Sequence, residues 1–368
     1  MKIKVGVLFG GRSGEHEVSL ASATSIIKNL DRSKYEVIPI GITKEGRWLL
    51  EGNPLQALQS GLTNNSLEPV LLTSANTSSA PLAVASSPPR SNNRLTVDVV
   101  FPVLHGPYGE DGTVQGLLEM AGVPYVGAGV LASSVGMDKA IMKVLFKERG
   151  LPIVKHVVVA RKDWENEPEV SMDFVEKSLG YPCFVKPANL GSSVGISKAS
   201  NRSSLSRAIA EAAKYDRKIV VEEGIQCREI ECSVLGNDDP IASVPGEIIP
   251  CNEFYDYRAK YLDEGSELLI PAPIPSETAE EIRHLAVEAF RAIDCSGMAR
   301  VDFFLEKQSS KVYLNEVNTI PGFTKISMYP KLWEASGLPY PQLIDRLIEL
   351  ALERHADRMR CATSYQPE

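Results

Sequence analysis

Two neighbouring strand segments near the carboxyl end of the chain carry charged side chains at spacings that could do chemistry. The segments ARVDFFLE and KVYLNEVN form a predicted hairpin around Ser309, which places Asp302 opposite Glu316 and Arg300 opposite Asn318. Opposed residues lie only ~4.5–5.5 Å apart, so the two carboxylates would repel unless a cation lay between them. Asp, Glu and Asn supply oxygen ligands that suit Mg²⁺, and Arg300 could neutralise a developing oxyanion. On the hairpin alone, a solvated strand end with a surface Arg–Glu pair is an equally good interpretation.

The second of these strands is expected to change character along its length. Side chains two apart lie on one side of a strand, so Val312 and Leu314 should share a face with Glu316 and Asn318. A Pro-Gly turn follows at once. We interpret the pattern as a strand face that leaves the core and becomes the floor of a metal–phosphate site.

A glycine- and serine-rich loop could hold phosphate groups. In FVKPANLGSSVGISK a strand ends near Lys186, and small residues at 191–195 follow before another strand begins. Glycine lets backbone N–H groups approach phosphate oxygens closely, and Lys186 adds a positive charge. The loop lacks the GK[ST] of a Walker A motif, and a Gly/Ser hairpin loop explains it as well.

Two further segments are weaker candidates for nucleotide and lid contacts. In VVEEGIQCREIEC, Glu222 ends an apolar strand and Glu229 begins the next, where carboxylates could contact a ribose or help to fix an adenine. Taken alone, a charged surface turn is the better interpretation. The segment FYDYRAKYLDEGS, residues 254–266, crowds aromatic and charged residues together without a clean period. Loops that close over a site often look like this, but so do packed surface loops.

Near the amino terminus, a glycine turn and a histidine are candidates for substrate contacts. The spacing in GGRSGEHEVSL is GGxxG rather than GxGxxG, which argues against a dinucleotide-binding turn. Glu15 lies near the start of a predicted helix, where its carboxylate could bind a substrate ammonium group or could cap the helix. His105 ends the third strand, at the edge where open α/β sheets bind ligands, although a lone histidine in a turn is more often structural.

The elements that must position these residues fall into two regions. Up to about residue 135, strands alternate with helices, which predicts a small parallel α/β sheet; the segments are KIKVGVLFG, VSLASATSIIKNL, YEVIPIGIT, VDVVFPVLHG, TVQGLLEMAG and VPYVGAG. Residues 60–94 are rich in Ser, Asn, Pro and Ala, and predict a mostly mobile insertion with one short strand at 69–73.

Beyond residue 135 the pattern predicts an α+β region. Asp138 should cap a helix with apolar positions at Ile141, Val144 and Leu145, ended by a glycine and a proline shortly after residue 149. Strands are predicted in IVKHVVVA, YPCFVKPA, KIVVEEGI and REIECSVLG, besides the hairpin. Helices are predicted over residues 203–213, 278–293 and 340–354.

Composition and charge are those of an ordinary globular protein. The 368 residues are 43% hydrophobic and 23% charged, and a net charge of −8 argues against a general nucleic-acid binder. The six cysteines show no CxxC metal pair, so we expect buried free thiols in a cytosolic protein. The opening MKIKVGVLFGG has no long apolar stretch, so we expect neither a signal peptide nor a membrane segment.

The order of these segments resembles the D-alanine–D-alanine ligase family of the ATP-grasp superfamily. The matching segments are GGRSGEHEVSL, LHGPYGEDGTVQG, MDK, VKPANLGSSVG, FYDYRAKY, ARVDF and NEVNTIPGFT, and YDYRAKY and NEVNTIPGFT are specific to this family. The resemblance spans nearly the whole chain. It implies an α/β and α+β architecture: an N-terminal parallel-sheet domain over residues 1–135, then an ATP-grasp fold with a central subdomain over 136–225. A C-terminal subdomain with the lid loop and metal site would cover 226–368.

The same resemblance implies an activity. Such proteins use ATP to join two D-alanine molecules through an acyl phosphate, and the dipeptide feeds peptidoglycan synthesis. The substrates would be D-alanine and ATP, with two Mg²⁺ or Mn²⁺ ions, and the resemblance suggests a cytoplasmic homodimer that binds neither nucleic acid nor membrane.

The resemblance also implies a role for each matching residue. The metal ligands would be Asp302, Glu316 and Asn318, and the nucleotide contacts would be Lys139, Lys186, Glu222 and Glu229. The catalytic and substrate-binding residues would be Arg300, the backbone of Gly322, Lys260, Glu15, Ser192, Tyr261, His105, Ser327 and Met328. Glu15 would hold the ammonium group of the first substrate, with Ser192 linking it to Tyr261 of the lid. Arg300 and Gly322 would stabilise the tetrahedral intermediate, and Ser327 and Met328 would bind the second carboxylate.

Two alternatives stay open. Close relatives make D-alanyl-D-lactate or D-alanyl-D-serine, although Tyr261 in AKY favours D-alanine as the acceptor. An ATP-grasp module could also bind nucleotide without catalysis. That reading expects a gap among Asp302, Glu316, Asn318 and Arg300, and the sequence has none.

Overall fold

The computed structural model describes residues 2–50, 52–61, 70–74, 82–84, 94–249 and 267–362. The predicted lid segment, with Lys260 and Tyr261, and most of the predicted insertion lie outside these ranges.

The first region is built on a parallel sheet, as predicted. Its elements are β1 (Ile3–Gly10), α1 (His16–Asn29), β2 (Tyr35–Ile42), β3 (Trp48–Leu49), α2 (Pro54–Gln59), β4 (Val70–Ser74), β5 (Leu82–Val84), β6 (Arg94–Val97), β7 (Val99–Val103) and α3 (Thr113–Met120). The strand order is β3-β2-β1-β7, and β1 is parallel to both β2 and β7. A continuous apolar run suits β1, because strands of a parallel sheet are covered on both faces.

Two sequence expectations for this region need correction. The segment VPYVGAG forms only an isolated bridge, from Tyr125 to Val100, and not a strand. The insertion holds three described strands, in the order β5-β4-β6, where one near residues 69–73 was expected. The pairing of β4 with β6 is parallel and non-local, so local composition carries little trace of it.

The second region is a four-stranded antiparallel sheet with helices. Its elements are α4 (Val130–Met137), α5 (Lys139–Glu148), β8 (His156–Ala160), α6 (Arg161–Asn166), α7 (Pro168–Leu179), β9 (Cys183–Pro187), β10 (Ser197–Ala199), α8 (Arg202–Ala212) and β11 (Lys218–Glu223). The strand order is β10-β9-β11-β8. Side chains from α7 and α8, among them Val175 and Ile209, pack on one face of this sheet.

Helix α5 begins where the sequence predicted but turns another face inward. The Asp138 side chain accepts hydrogen bonds from the backbone N–H groups of residues 140 and 141, which confirms the predicted cap. Ile141 and Val144 are 46% and 58% exposed, however, so these two expected apolar positions do not face the core, whereas Leu145 packs against it. The buried side carries Lys143 as well as Met142 and Phe146, because a lysine there has buried polar partners.

The third region is a six-stranded sheet that carries the hairpin of interest. Its elements are β12 (Cys227–Gly236), β13 (Ile241–Ala242), β14 (Gly246–Ile249), β15 (Glu267–Leu269), α9 (Ser276–Ala292), β16 (Gly297–Glu306), β17 (Val312–Asn318), α10 (Met328–Ala335) and α11 (Tyr340–Arg358). The order is β15-β14-β12-β16-β17, with β13 paired to β12. One face packs against α9, α4 and α5. The opposite face carries charged side chains beside the hairpin and packs against α10 through Ile248 and Leu268.

The last helix ties the third region to the first. Leu343, Leu347 and Ile348 of α11 share a core with Val5 and Phe101 of the parallel sheet. Arg354 of the same helix donates hydrogen bonds to backbone carbonyls at residues 125 and 127.

Two further expectations from the sequence concern membrane segments and cysteines. Nowhere in the described ranges is a helix long and apolar enough to cross a bilayer. The five described cysteines are free thiols, as expected; three are buried, whereas Cys361 is exposed and Cys227 is half-buried.

Candidate active site

On the face of the third sheet that lies away from α9, charged and amide side chains form two adjacent rows. Asp302 pairs with Glu316 and Arg300 pairs with Asn318, which confirms the predicted hairpin register at these positions. On the other side of β16, Asp302 faces Glu231 of β12. The structure therefore lines up three carboxylates across three strands, of which the sequence analysis found only two.

A β-bulge, not a continuous face, brings the carboxylates to this side of the sheet. The ladder shifts register between Asp302 and Phe303, so that Phe303 faces Leu314 and Asn315 is the extra residue. Val312 and Leu314 pack in the core together with Val317. The expectation that Glu316 and Asn318 continue the face of Val312 and Leu314 is thus wrong, because the extra residue exchanges the two faces.

Arg300 is held between two carboxylates. Its Nε and Nη2 each donate to an Asp302 oxygen at 2.7 Å, and its Nε lies 3.0 Å from Glu231 Oε2. Burial alone would lower the pKa of Arg300, but the charges of Asp302 and Glu231 outweigh it and hold that pKa well above its usual value. Arg300 is therefore a fixed cation, and this pairing differs from the surface Arg–Glu pair left open above.

The oxygen donors of the row suit a hard divalent cation. Asn318 Nδ2 donates to Asp302 Oδ2 at 2.9 Å, and Lys139 Nζ lies 3.6 Å from Glu316 Oε2. Within the described ranges no three acidic, histidine or cysteine side chains converge as a ready-made cage. Two facing carboxylates and one amide remain a donor set of the kind that Mg²⁺ shares with substrate phosphates.

A cavity of about 620 Å³ brings most of the predicted residues together. It lies where the three regions meet. The predicted residues that line it are Glu15, His105, Lys139, Ser192, Arg300, Glu316, Asn318, Gly322, Ser327 and Met328.

Glu15 lies across this cavity in a glycine-lined setting. Its side chain makes no capping hydrogen bond to α1, which removes the capping alternative, and it instead accepts a hydrogen bond from Ser192 Oγ. A Cβ at Gly106 would come within 2.7 Å of Glu15 Oε2, so only glycine fits there. Both Ser192 and Ser193 have a left-handed backbone, with φ of 52° and 56°; the loop is strained to bring Ser192 to Glu15.

His105 lies close by and is neutral. Its Nδ1 is 3.0 Å from the Ile320 carbonyl oxygen, and its Nε2 is 3.5 Å from Ser22 Oγ. Burial lowers the pKa of His105, and the opposing charge of Glu15 does not reverse this. The histidine therefore lies at the site, as expected, and also links β7 to the loop after β17.

Glu110 is a site residue that the sequence analysis missed. It lines the cavity, and its Oε1 accepts a hydrogen bond from the Gly106 N–H at 2.8 Å. Burial and then the charge of Glu15 raise the pKa of Glu110 to about 8. At neutral pH Glu110 is thus mostly a neutral acid beside the charged Glu15. Its place in LHGPYGEDG, five residues after His105, was the available signal.

Glu222 is buried between two lysines. It is 2% exposed, and its two oxygens lie 2.8 Å from Lys143 Nζ and 2.6 Å from Lys186 Nζ. Burial would raise the pKa of Glu222, but the two ammonium groups hold it well below its usual value. The surface-turn alternative is wrong for Glu222, and Lys143, one helical turn after Lys139, was missed.

The remaining predicted nucleotide residues surround this triad. Lys186 Nζ reaches Asn315 Oδ1 at 3.5 Å, and Lys143 Nζ reaches the Asn315 carbonyl at 3.4 Å. The bulge residue therefore joins the second sheet to the row of carboxylates. Glu229 faces Phe304 at the start of β12, two residues from Glu231 on the same face. Lys139 Nζ donates to the Leu190 carbonyl at 2.8 Å, in the small-residue loop.

A tight loop before α10 completes the cavity wall. Ser327 Oγ accepts a hydrogen bond from the Thr324 N–H at 3.0 Å, and a Cβ at Gly322 would approach Ser327 Oγ to 2.8 Å. Ser327 is the N-cap position and Met328 the first residue of α10. Free N–H groups at a helix start favour a carboxylate.

Two family models together match most of the chain. The model described as D-ala D-ala ligase N-terminus matches residues 4–128, and that described as D-ala D-ala ligase C-terminus matches residues 145–349.

Similar sequences and solved structures carry related names. A D-alanine--D-alanine ligase of Heliobacterium modesticaldum is 54% identical, covering 100% of this chain and 99% of that protein, and one of Acetivibrio thermocellus is 52% identical with 98% of each covered. The structure of the D-alanine-D-alanine ligase from Coxiella burnetii is similar with a TM-score of 0.82 at 38% identity, over 98% of this chain and 96% of that one. A D-Ala:D-Ser ligase from Enterococcus faecalis gives 0.83, also at 38% identity, over 95% and 100%. With both family models matched and relatives above half identity over their full length, the chain belongs to the D-alanine–D-alanine ligase family.

Proposed function

We propose that this protein uses ATP to join two D-alanine molecules into D-alanyl-D-alanine, with release of ADP and phosphate. The observation that carries the proposal is a single cavity with Glu15 on one side and Arg300 on the other. A carboxylate suits the ammonium group of the first D-alanine, and a buried guanidinium suits the anion that forms at its carboxyl carbon. Membership of the family, with relatives named for this ligation, supports the same conclusion.

The chemistry has two steps. The carboxylate oxygen of the first D-alanine attacks the γ-phosphorus of ATP, the bond from that phosphorus to the bridging oxygen breaks, and ADP leaves. The amine of the second D-alanine, having lost a proton, then attacks the acyl carbon, and the C–O bond to phosphate breaks. Arg300 and the Gly322 N–H would stabilise the tetrahedral anion between these events, while the Ser327–Met328 turn would hold the second carboxylate.

The row of carboxylates supports a site for two Mg²⁺ or Mn²⁺ ions. Asp302, Glu316 and Asn318 would bind the metals together with the phosphates of ATP. Bound there, the metals would neutralise charge on the γ-phosphate while an anion attacks it. In the structure Asp302 is paired with Arg300, so metal binding would require its carboxylate to be shared between Arg300 and a metal ion.

Four residues are proposed for the nucleotide. Lys139 and Lys186 would contact phosphates, and Glu222 and Glu229 would contact the adenosine. The lysine pairing of Glu222 supports an indirect role, in which it fixes Lys186. Lys260 is proposed to reach the transferred phosphate and Tyr261 to close the lid through Ser192; both lie outside the described residues.

Domain boundaries, assembly and location complete the proposal. We propose domains over residues 1–135, 136–225 and 226–368, with α11 packed on the first of them. The family supports a homodimer in the cytoplasm. Sedimentation of the purified protein at several concentrations tests the dimer, and a single monomeric species would contradict it.

The proposal is tested by supplying ATP, Mg²⁺ and D-alanine to the purified protein. We expect phosphate release that depends on D-alanine, and one dipeptide for each ATP consumed. ATP binding with neither phosphate release nor dipeptide would instead support a nucleotide-binding module without catalysis. Against that alternative, Arg300, Asp302, Glu316 and Asn318 are all present on one face of one sheet.

Acceptor choice has a second candidate, because one similar structure is named a D-Ala:D-Ser ligase. We expect D-alanine to be preferred over D-lactate, whose hydroxyl is a weaker nucleophile, since Tyr261 supplies no basic group at neutral pH, where a phenol with an ordinary pKa of about 10 stays protonated. Competition between the acceptors at pH 6 and pH 8, with products resolved by mass, tests this. Comparable depsipeptide at pH 8 would contradict the preference over D-lactate, and D-alanyl-D-serine as the main product would favour the second candidate.

A further inference from the structure

Glu231 is a buried carboxylate at the candidate site to which none of the roles above was assigned. It is 5% exposed, lines the cavity and faces Asp302 across the ladder. Its Oε2 lies 3.0 Å from Arg300 Nε. Because a buried carboxylate is costly unless a cation compensates it, Glu231 and Arg300 depend on each other in this position.

Arg300 and Glu231 are linked through one nitrogen atom. Arg300 Nε donates to Asp302 Oδ1 at 2.7 Å and also lies within ion-pair distance of Glu231. The guanidinium thus has one carboxylate partner on its own strand and one on the neighbouring strand. If either partner turned away, the other could still hold Nε in place.

Asp302 is the partner with a competing task. Under the proposed function, on which this inference rests, Asp302 also binds metal. A metal would draw its oxygens away from Nε and Nη2 of Arg300. An arginine that relied on Asp302 alone would then lose its orientation at the moment when an oxyanion needs it.

We propose that Glu231 is a positioning residue that holds Arg300 when Asp302 turns to the metal. Glu231 lies on β12, the strand next to the one that carries Asp302 and Arg300, and it contacts Arg300 through Nε. It does not need to touch substrate itself. Glu231 also weakens the ion pair between Arg300 and Asp302, because the guanidinium shares its charge between two carboxylates. As the third negative charge in the row, it further favours a divalent cation at Asp302 and Glu316.

These effects predict weaker metal binding and slower turnover when the charge of Glu231 is removed. In Glu231→Gln, Arg300 binds Asp302 more tightly and the row loses one negative charge, so metal binding weakens. Turnover falls as well, since no carboxylate on β12 then holds Arg300 when a metal engages Asp302. Outer-shell partners of metal ligands typically contribute about 10–100-fold to metal affinity or activity, so we expect at least a tenfold loss in each.

The chain offers a matched control on the same sheet. Glu247 of β14 is 6% exposed and accepts two hydrogen bonds from Arg228, at 2.7 and 2.6 Å. Its partner is Arg228 rather than Arg300. Glu247→Gln therefore removes an equally buried arginine-paired charge without changing the proposed metal site, and a general weakening of the sheet would appear in both variants.

The experiment measures Mn²⁺ binding by electron paramagnetic resonance, with a non-hydrolysable ATP analogue present, and separately kcat with saturating Mn²⁺. We expect Glu231→Gln to bind Mn²⁺ about tenfold more weakly and Glu247→Gln to match the wild type. Glu231→Asp keeps the charge but shortens the reach to Arg300, so it should bind Mn²⁺ normally and still turn over slowly.

Three results would overturn the inference. They are unchanged Mn²⁺ binding and kcat in Glu231→Gln, an equal loss in Glu247→Gln, and wild-type turnover in Glu231→Asp. The last result decides the question even where Glu231→Gln fails to fold. The binding measurement requires no ligation, so a wild-type protein without D-alanine-dependent turnover would refute the proposed function and leave the Mn²⁺ comparison intact.

Discussion

Replacing Glu222 by glutamine should be among the most destabilising single changes in the central sheet. Glu222 is 2% exposed and lies 2.8 and 2.6 Å from two ammonium groups, and Lys143 is fully buried. Glutamine keeps the shape but removes the carboxylate that lies between two cations. Breaking a buried ion pair by removing one partner costs about 3–5 kcal/mol, and here the removed group serves two partners.

The structure also predicts how the stabilities of related variants compare. Lys143→Met leaves Glu222 paired with Lys186, so only one charged hydrogen bond is lost, worth about 1.5–3 kcal/mol. The double variant Lys143→Met/Glu222→Gln leaves a single cation, and Lys186 retains Asn315 and the Phe304 ring as neighbours. We therefore expect the double variant to be more stable than Glu222→Gln alone, which is a coupling between contacting residues.

Urea unfolding of the three variants at pH 7 and pH 9 measures these differences. In Glu222→Gln, Lys143 should lose its proton in the folded state, so the unfolded state binds more protons and stability rises with pH. The deficit should therefore be smaller at pH 9 than at pH 7. A loss below about 1 kcal/mol, the range of a surface pair, or no rescue in the double variant, would refute the argument.

Three further predictions concern the cavity. Glu316→Ala should lower kcat at least about 100-fold at saturating Mg²⁺, because a shared metal ligand contributes several kcal/mol; near-normal turnover would remove its assignment as a ligand. Deleting Asn315 should abolish ligation and destabilise the sheet, because Glu316 would turn to the core face, whereas Asn315→Ala should keep the fold; active deletion protein would contradict the role of the bulge. As the pH rises from 5 to 8, the wild type should lose thermal stability relative to Glu110→Gln. A pKa of about 8 means that folded Glu110 binds a proton that the unfolded chain has released; parallel stability curves would argue against this.

Much of the third sheet could be predicted because its signals are local. The hairpin register follows from strand pairing around one turn, and it placed Asp302 opposite Glu316 and Arg300 opposite Asn318 correctly. The cap at Asp138 and the strand β1 were also predictable, since each depends on a few consecutive residues.

The errors arise where a contact between distant segments decides the outcome. Alternation along KVYLNEVN cannot reveal the bulge at Asn315, whose carbonyl and side chain meet lysines from two other elements. The inward face of α5 is set by Lys143, which is buried only because Glu222 lies 2.8 Å away. A helical pattern read by hydrophobicity alone therefore chose Ile141 and Val144, which are exposed.

The missed residues of the site have the same origin. Glu231 is two positions after Glu229 on one strand face, but its importance depends on Asp302 of the neighbouring strand. Glu110 became a candidate only when Glu15 and Gly106 were found beside it. The parallel pairing of β4 with β6 joins segments more than twenty residues apart, in a stretch whose composition indicates little structure.

We propose that ATP activates the carboxylate of D-alanine in the cavity between Glu15 and Arg300, and transfer of a carboxylate oxygen to phosphate would demonstrate this claim. D-Alanine labelled with ¹⁸O in its carboxylate is supplied with ATP and Mg²⁺, and the released phosphate is analysed by mass. If an acyl phosphate forms, the oxygen that attacked the γ-phosphorus leaves with the phosphate, so each phosphate released with a dipeptide carries one ¹⁸O. Dipeptide accompanied by unlabelled phosphate would contradict the claim, because the phosphoryl group would then have been transferred to water.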